Sequence, residues 1–139
     1  MKPKVLYRIA AVLLLLFCVG HTLGFRRVDP SWHADGLVIS MKATQFNVQG
    51  FQRSYWDFYV GFGLFVSVLL LFAALVSWQL GGLEPAVLQR VKGIGWALTF
   101  CFALNCVLSW EYFFLVPVVF SVVITICLVL ASWLAGKTA

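Results

Sequence analysis

Arg53-Ser54-Tyr55-Trp56-Asp57-Phe58-Tyr59-Val60-Gly61-Phe62-Gly63 opens into an apolar run from Leu64 to Val76. About 20 consecutive apolar residues are enough for a helix to cross a bilayer, and this run with its aromatic lead-in is long enough. An aspartate one turn inside such a helix needs a partner, because hydrocarbon offers it no water. Arg53 lies four residues before Asp57, on the same helical face, and is the local candidate. Tyr55, Trp56 and Tyr59 suit the headgroup level, where ring bodies are buried and polar tips stay wet. Gly61 and Gly63 mark a place where another helix can come close.

Composition extends this reading to the whole chain. Of 139 residues, 63% are hydrophobic and 11% charged, and the mean hydropathy is +0.98. Soluble domains carry about 25% charged residues, so this chain cannot cover itself with polar surface. The expectation is an all-α membrane protein: a four-transmembrane-helix bundle, residues 1–139 as one domain. The helices run at about 5–25, 54–80, 86–110 and 112–134, with an extramembrane outer loop over 26–53. The net charge of +5 sits near helix ends, which suits topology signals and anionic headgroups; no basic stripe for nucleic acid is present.

The basic start (Lys2, Lys4, Arg8) before an apolar core also resembles a secretory signal. The residues after the core offer no A-x-A site, and Phe17 before Cys18 fits poorly with lipoprotein cleavage, so the first span is expected to be retained. Gly20 and Gly24 form a small-xxx-small pair suited to helix contact. In the outer loop, Asp29-Pro30-Ser31 signals a turn and helix start. Trp32, Leu37, Val38 and Met41 can then anchor a short element on the membrane surface, and residues 44–52 alternate as an extended segment does. Gly81-Gly82 ends the second span, and Glu84-Pro85 begins the third. Glu111 marks a tight connection to the fourth, which carries Pro117 near its first turn.

With four crossings, Lys2, Lys4, Arg8, Arg90, Lys92 and Lys137 share one side, against Arg26, Arg27, Lys42 and Arg53 on the other. That bias places both termini in the cytoplasm. Trp32, Trp56 and Trp110 fall on one boundary, Trp78 and Trp133 on the other. Cys18, Cys101, Cys106 and Cys127 all lie in apolar runs without a CxxC, so they read as small hydrophobes rather than redox pairs.

The ionisable membrane residues gather toward the outer side. His21, Asp57 and Glu111 are the candidates for acid–base chemistry, since a histidine beside a carboxylate titrates near neutrality. Arg53, Tyr55, Tyr59, Asn105, Trp110 and Tyr112 would ring a ligand there, Asn105 being able to donate to a developing oxyanion. The competing reading is structural: a helix-start ion pair for Asp57, a wet turn for Glu111, an interhelix hydrogen bond for His21. No metal site and no cofactor is expected. Facing histidines for haem, ligands for zinc, a P-loop, a dinucleotide fingerprint and a nucleophile elbow are all missing from the sequence.

The run Arg53–Gly63, with Gly20-His21 at the end of the first span, resembles small uncharacterised bacterial four-helix membrane proteins. In size and layout the chain is also similar to DoxX-like proteins. The resemblance implies a four-helix fold in a bacterial inner membrane and carries over no reaction. The expected function is binding of a lipid-like molecule or a partner subunit at the outer polar cluster, membrane lipids and a second copy of the chain being the expected partners. The alternatives are an acid–base enzyme acting on a lipid, sterol or quinone-type substrate, and a small oligomeric transporter.

Overall fold

The computed structural model describes residues 2–137. Its elements in chain order are α1 (Pro3–Gly24), a 3-10 turn (Pro30–Trp32), α2 (Asp35–Ala43), β1 (Gln45–Val48), β2 (Phe51–Ser54), α3 (Tyr55–Leu80), α4 (Pro85–Arg90), α5 (Lys92–Tyr112) and α6 (Leu115–Ala135). Helices α1, α3, α5 and α6 have 22, 26, 21 and 21 residues. Each is long and apolar enough to cross a membrane. No more than 33% of any of these spans is buried within the chain. Large apolar side chains make up much of the remaining surface, the pattern of helices long and apolar enough to meet lipid.

The chain divides into two compact units. One comprises residues up to Phe17 and from Leu70 onward; the other is Cys18–Leu69.

In the first unit, α5 and α6 form an antiparallel hairpin joined through Phe113 and Phe114. Small polar side chains pair along it. Thr99 Oγ1 lies 3.4 Å from Ser132 Oγ, Cys106 Sγ 3.2 Å from Thr125 Oγ1, and Ser109 Oγ 3.1 Å from Ser121 Oγ. Lipid gives two apolar helices no hydrophobic reason to associate, so small residues and interhelical hydrogen bonds hold such a pair. Tyr7 of α1 is fully buried and shares a hydrogen bond with Ser132 Oγ at 3.0 Å. It fits because residue 95 is glycine: a Cβ there would collide with the Tyr7 hydroxyl and with Ser132. Phe17 stacks on Phe120 with ring centroids 5.1 Å apart.

The third span differs from the single helix expected over 86–110. It breaks at Val91 (φ −100, ψ 16) into α4 and α5. The polar Gln89, Arg90 and Lys92 cluster at the break, and Gly93 and Gly95 follow, residues that weaken a helix at its start. Glu111 lies in the last turn of α5, not in the connection itself.

In the second unit, the expected extended segment over 44–52 is a two-stranded antiparallel hairpin, with Val48 opposite Phe51 and Gln45 opposite Ser54. Gln49 and Gly50 both have positive φ (52 and 91), as a tight primed turn requires. The Asn47 carboxamide oxygen accepts from the Gly50 N–H at 2.8 Å and closes it. Ahead of the hairpin, the 3-10 turn is capped by Asp29, whose Oδ1 accepts from the Ser31 N–H (2.8 Å) and hydroxyl (2.7 Å). These two bonds hold the exposed Asp29 carboxyl below the usual aspartate range, the side-chain bond contributing more. Helix α2 has no buried residue and leaves Leu37 and Ile39 exposed.

Candidate functional site

The site is the seam between the end of α1 and the start of α3, within the unit Cys18–Leu69. Gly63 is its centre. A Cβ at this position would run into the Phe25 ring, so glycine lets that ring lie against the backbone of α3. The Gly63 carbonyl faces α1 as well, and His21 Nε2 lies 3.0 Å from it. A carbonyl only accepts, so Nε2 carries the proton in this contact. The His21 ring also stacks on Phe25 at 5.1 Å, nearly parallel.

One turn further along, the side chains of Cys18, Thr22 and Ser67 interlock. Cys18 Sγ donates to the Ser67 carbonyl at 3.2 Å. Thr22 Oγ1 lies 2.7 Å from the Cys18 carbonyl and 2.8 Å from Ser67 Oγ, and Ser67 Oγ lies 3.2 Å from the Gly63 carbonyl. Each hydroxyl has one proton, so these three contacts share two protons, and the Thr22–Ser67 contact is the one that bridges the two helices. The close-approach glycine is therefore Gly63. At Gly20 and Gly24, the pair suggested by spacing, an added Cβ would meet nothing within 4 Å.

Asp57 has a different partner from the one its spacing suggested. Its Oδ2 accepts from the Ser54 N–H at 2.7 Å and from the Ser54 hydroxyl at 2.9 Å, while Ser54 Oγ accepts from the Asp57 N–H at 3.2 Å. This is a reciprocal capping box, in which the residue before the helix and the third residue within it satisfy each other's free N–H groups. Arg53 is not on the helix at all. It sits in β2, with its Nη1 donating to the Gln52 carbonyl at 2.6 Å and its guanidinium 5.4 Å from the Phe51 ring. The helical i,i+4 geometry that would have paired it with Asp57 does not exist there.

Around the seam runs a set of touching aromatic rings. Tyr59 donates its hydroxyl to the Phe25 carbonyl at 2.5 Å and lies 6.1 Å from the Phe25 ring. Trp56 stacks on Tyr59 at 5.4 Å, and Lys42 Nζ stands 4.9 Å from the Trp56 ring. Phe46 of the hairpin meets Tyr55 at 4.9 Å and Phe58 at 5.6 Å, and Phe58 meets Phe62 at 6.2 Å. Tyr55, Phe58, Tyr59 and Phe62 all remain exposed.

Of the residues singled out by sequence, His21, Arg53, Tyr55, Asp57 and Tyr59 belong to this unit. Among the described residues no hydrogen bond links His21 to Asp57; the first serves the helix seam and the second the helix start. Asn105, Trp110, Glu111 and Tyr112 belong to the other unit. Trp110, Glu111 and Tyr112 are exposed, and the side chain of Asn105, half-buried on α5, makes no hydrogen bond among the described residues. The participants that sequence reasoning missed are Ser54, Phe25, Thr22 and Ser67. Only Ser54 had a signal, the Ser-x-x-Asp spacing ahead of an apolar run. Cys101 is exposed on α5, unlike the buried Cys18, so not every cysteine fills the interior.

Set against protein-family models, curated proteins and solved structures, the chain matches none, and no link to DoxX-like proteins is found.

Proposed function

We propose that the chain is a multi-pass protein of a bacterial inner membrane, with both termini in the cytoplasm, that binds a lipid-like molecule through the aromatic surface of residues 46–62. The observation that carries this reading is the connected ring set in which half-buried Phe46 of the hairpin meets Tyr55 and Phe58, with Tyr55, Phe58 and Phe62 exposed at the start of a spanning helix. Rings of this kind bind flat or chain-like apolar groups while their edges and hydroxyls stay at the headgroup level. Binding is favoured over acid–base catalysis because His21 and Asp57 are each committed to local hydrogen bonds. The test is purification in native membrane discs followed by mass spectrometry. The reading expects one lipid-like species retained in stoichiometric amount and lost on Phe58→Ala. Bulk lipid alone, unchanged in that variant, would contradict it.

A partner subunit is the second reading, favoured by Asn105. A carboxamide within an apolar span needs a hydrogen-bond partner, and Asn105 has none among the described residues. An oligomer in the same discs that dissociates on Asn105→Leu would support this reading.

A further inference from the structure

A second feature lies at the start of α1, on residues that take no part in the seam. An open groove of about 540 Å³ is lined by Lys4, Val5, Arg8, Ile9, Val12 and Gly81 among others. Arg8 is part of its wall, and the Arg8 guanidinium lies 3.7 Å from the centre of the Trp78 ring. A guanidinium lying over an aromatic ring uses its face for the cation–π contact and leaves its edge N–H groups free. Among the described residues, no acceptor is bonded to those N–H groups. The Gly81-Gly82 turn makes room for this posture. A Cβ on Gly81 would stand 2.9 Å from Arg8 Cγ and 3.0 Å from the Lys4 carbonyl oxygen, and one on Gly82 3.1 Å from Arg8 Nη2.

Charge at this end is unbalanced. Lys2 and Lys4 share one acidic neighbour, Glu84, which stands 3.8 Å from Lys4 Nζ, and Arg8 makes no ion pair among the described residues. The groove wall itself is mostly apolar. Val5, Ile9 and Val12 follow one another on a single helical face, all exposed. Arg8 lies five residues into α1, about 7.5 Å along the helix. The headgroup layer is roughly 5–7 Å thick on each side of the hydrocarbon, so a long side chain at this depth reaches phosphate level.

We infer that Lys4, Arg8, Trp78 and the Gly81-Gly82 turn form a headgroup site for an anionic glycerophospholipid, with an acyl chain lying along Val5, Ile9 and Val12. The planar fork of Arg8 takes two phosphate oxygens, Lys4 supplies a second positive charge, and the indole fixes the fork before the lipid arrives. A planar, always-charged donor set matches phosphate better than an ammonium does.

The full-length protein in detergent, stripped of lipid, is offered equal amounts of dioleoyl phosphatidylglycerol and dioleoyl phosphatidylcholine, and bound lipid is counted by native mass spectrometry. The wild type is expected to prefer phosphatidylglycerol. Arg8→Gln is expected to reduce that preference about tenfold, the scale of a charged hydrogen bond. Arg8→Lys keeps the charge and loses the fork, and is expected to reduce it by a smaller factor; it also serves if the glutamine variant does not fold. No preference in the wild type, or an undiminished preference in the variants, would overturn the inference. Displacement of the lipid by millimolar inorganic phosphate alone would also overturn it, by showing a site for the free anion.

Discussion

His21 Nε2 stands 3.0 Å from the carbonyl oxygen of Gly63, at a residue whose missing side chain also leaves room for the Phe25 ring. Gly63→Ala should therefore drive the new methyl into the Phe25 ring and push the two helices apart. Overpacking of this kind costs about 1–3 kcal/mol. Denaturant unfolding in detergent should show that loss. Phe25→Ala in the same chain should recover part of it, so the double variant falls short of the sum of the singles.

The start of α3 depends on Ser54 and Asp57 in equal measure, because each caps the other. Ser54→Ala and Asp57→Ala should each cost about 1 kcal/mol. The double variant should cost little more than either. Amide hydrogen exchange should speed up at Tyr55–Phe58 and stay unchanged in α5 and α6. Arg53→Ala should leave these amides as they are, since its guanidinium bonds to the Gln52 carbonyl.

In the unit built on α5 and α6, Tyr7→Phe removes one partner of the buried Ser132 hydroxyl. Interhelical hydrogen bonds in membranes average about 0.6 kcal/mol, and a loss of that size is expected in thermal unfolding. Gly95→Ala should cost more, because its methyl meets both Tyr7 and Ser132.

The Asp29 cap gives one segment a pH dependence. Its carboxyl titrates below the usual aspartate range because the charged form accepts two bonds from Ser31. A depressed folded-state value means the cap stabilises the turn fully above the ordinary aspartate value, and the benefit disappears as pH falls through the lower folded-state value. The Ser31 amide resonance should shift over that acidic window. Asp29→Asn should abolish the shift.

The spans themselves were readable from sequence because apolar runs of about 20 residues leave few alternatives. Local geometry was less so. The Arg53–Asp57 spacing looks like a helical ion pair only if residue 53 is helical. The Ser54-x-x-Asp57 capping signal places the helix start one residue later, and Gln49-Gly50 turns the preceding residues into a hairpin. Gly20 and Gly24 have the small-residue spacing but open space around them, whereas Gly63 is the close contact. Which glycine meets a neighbour depends on how each helix is rotated, and a single helix sequence does not encode that. Asn105, Trp110, Glu111 and Tyr112 posed the same difficulty: their level along a span could be counted, but not the groups around them.

The proposed function needs four crossings with the α2 and hairpin segment outside the cytoplasm. The most direct measurement is labelling of single cysteines in a cysteine-free background, using a membrane-impermeant maleimide on intact cells in which the periplasm is accessible. Gln52→Cys, in β2, is expected to label before lysis, and Ala86→Cys, in α4, only after it. Labelling of Ala86→Cys in intact cells, with Gln52→Cys protected until lysis, would contradict the account.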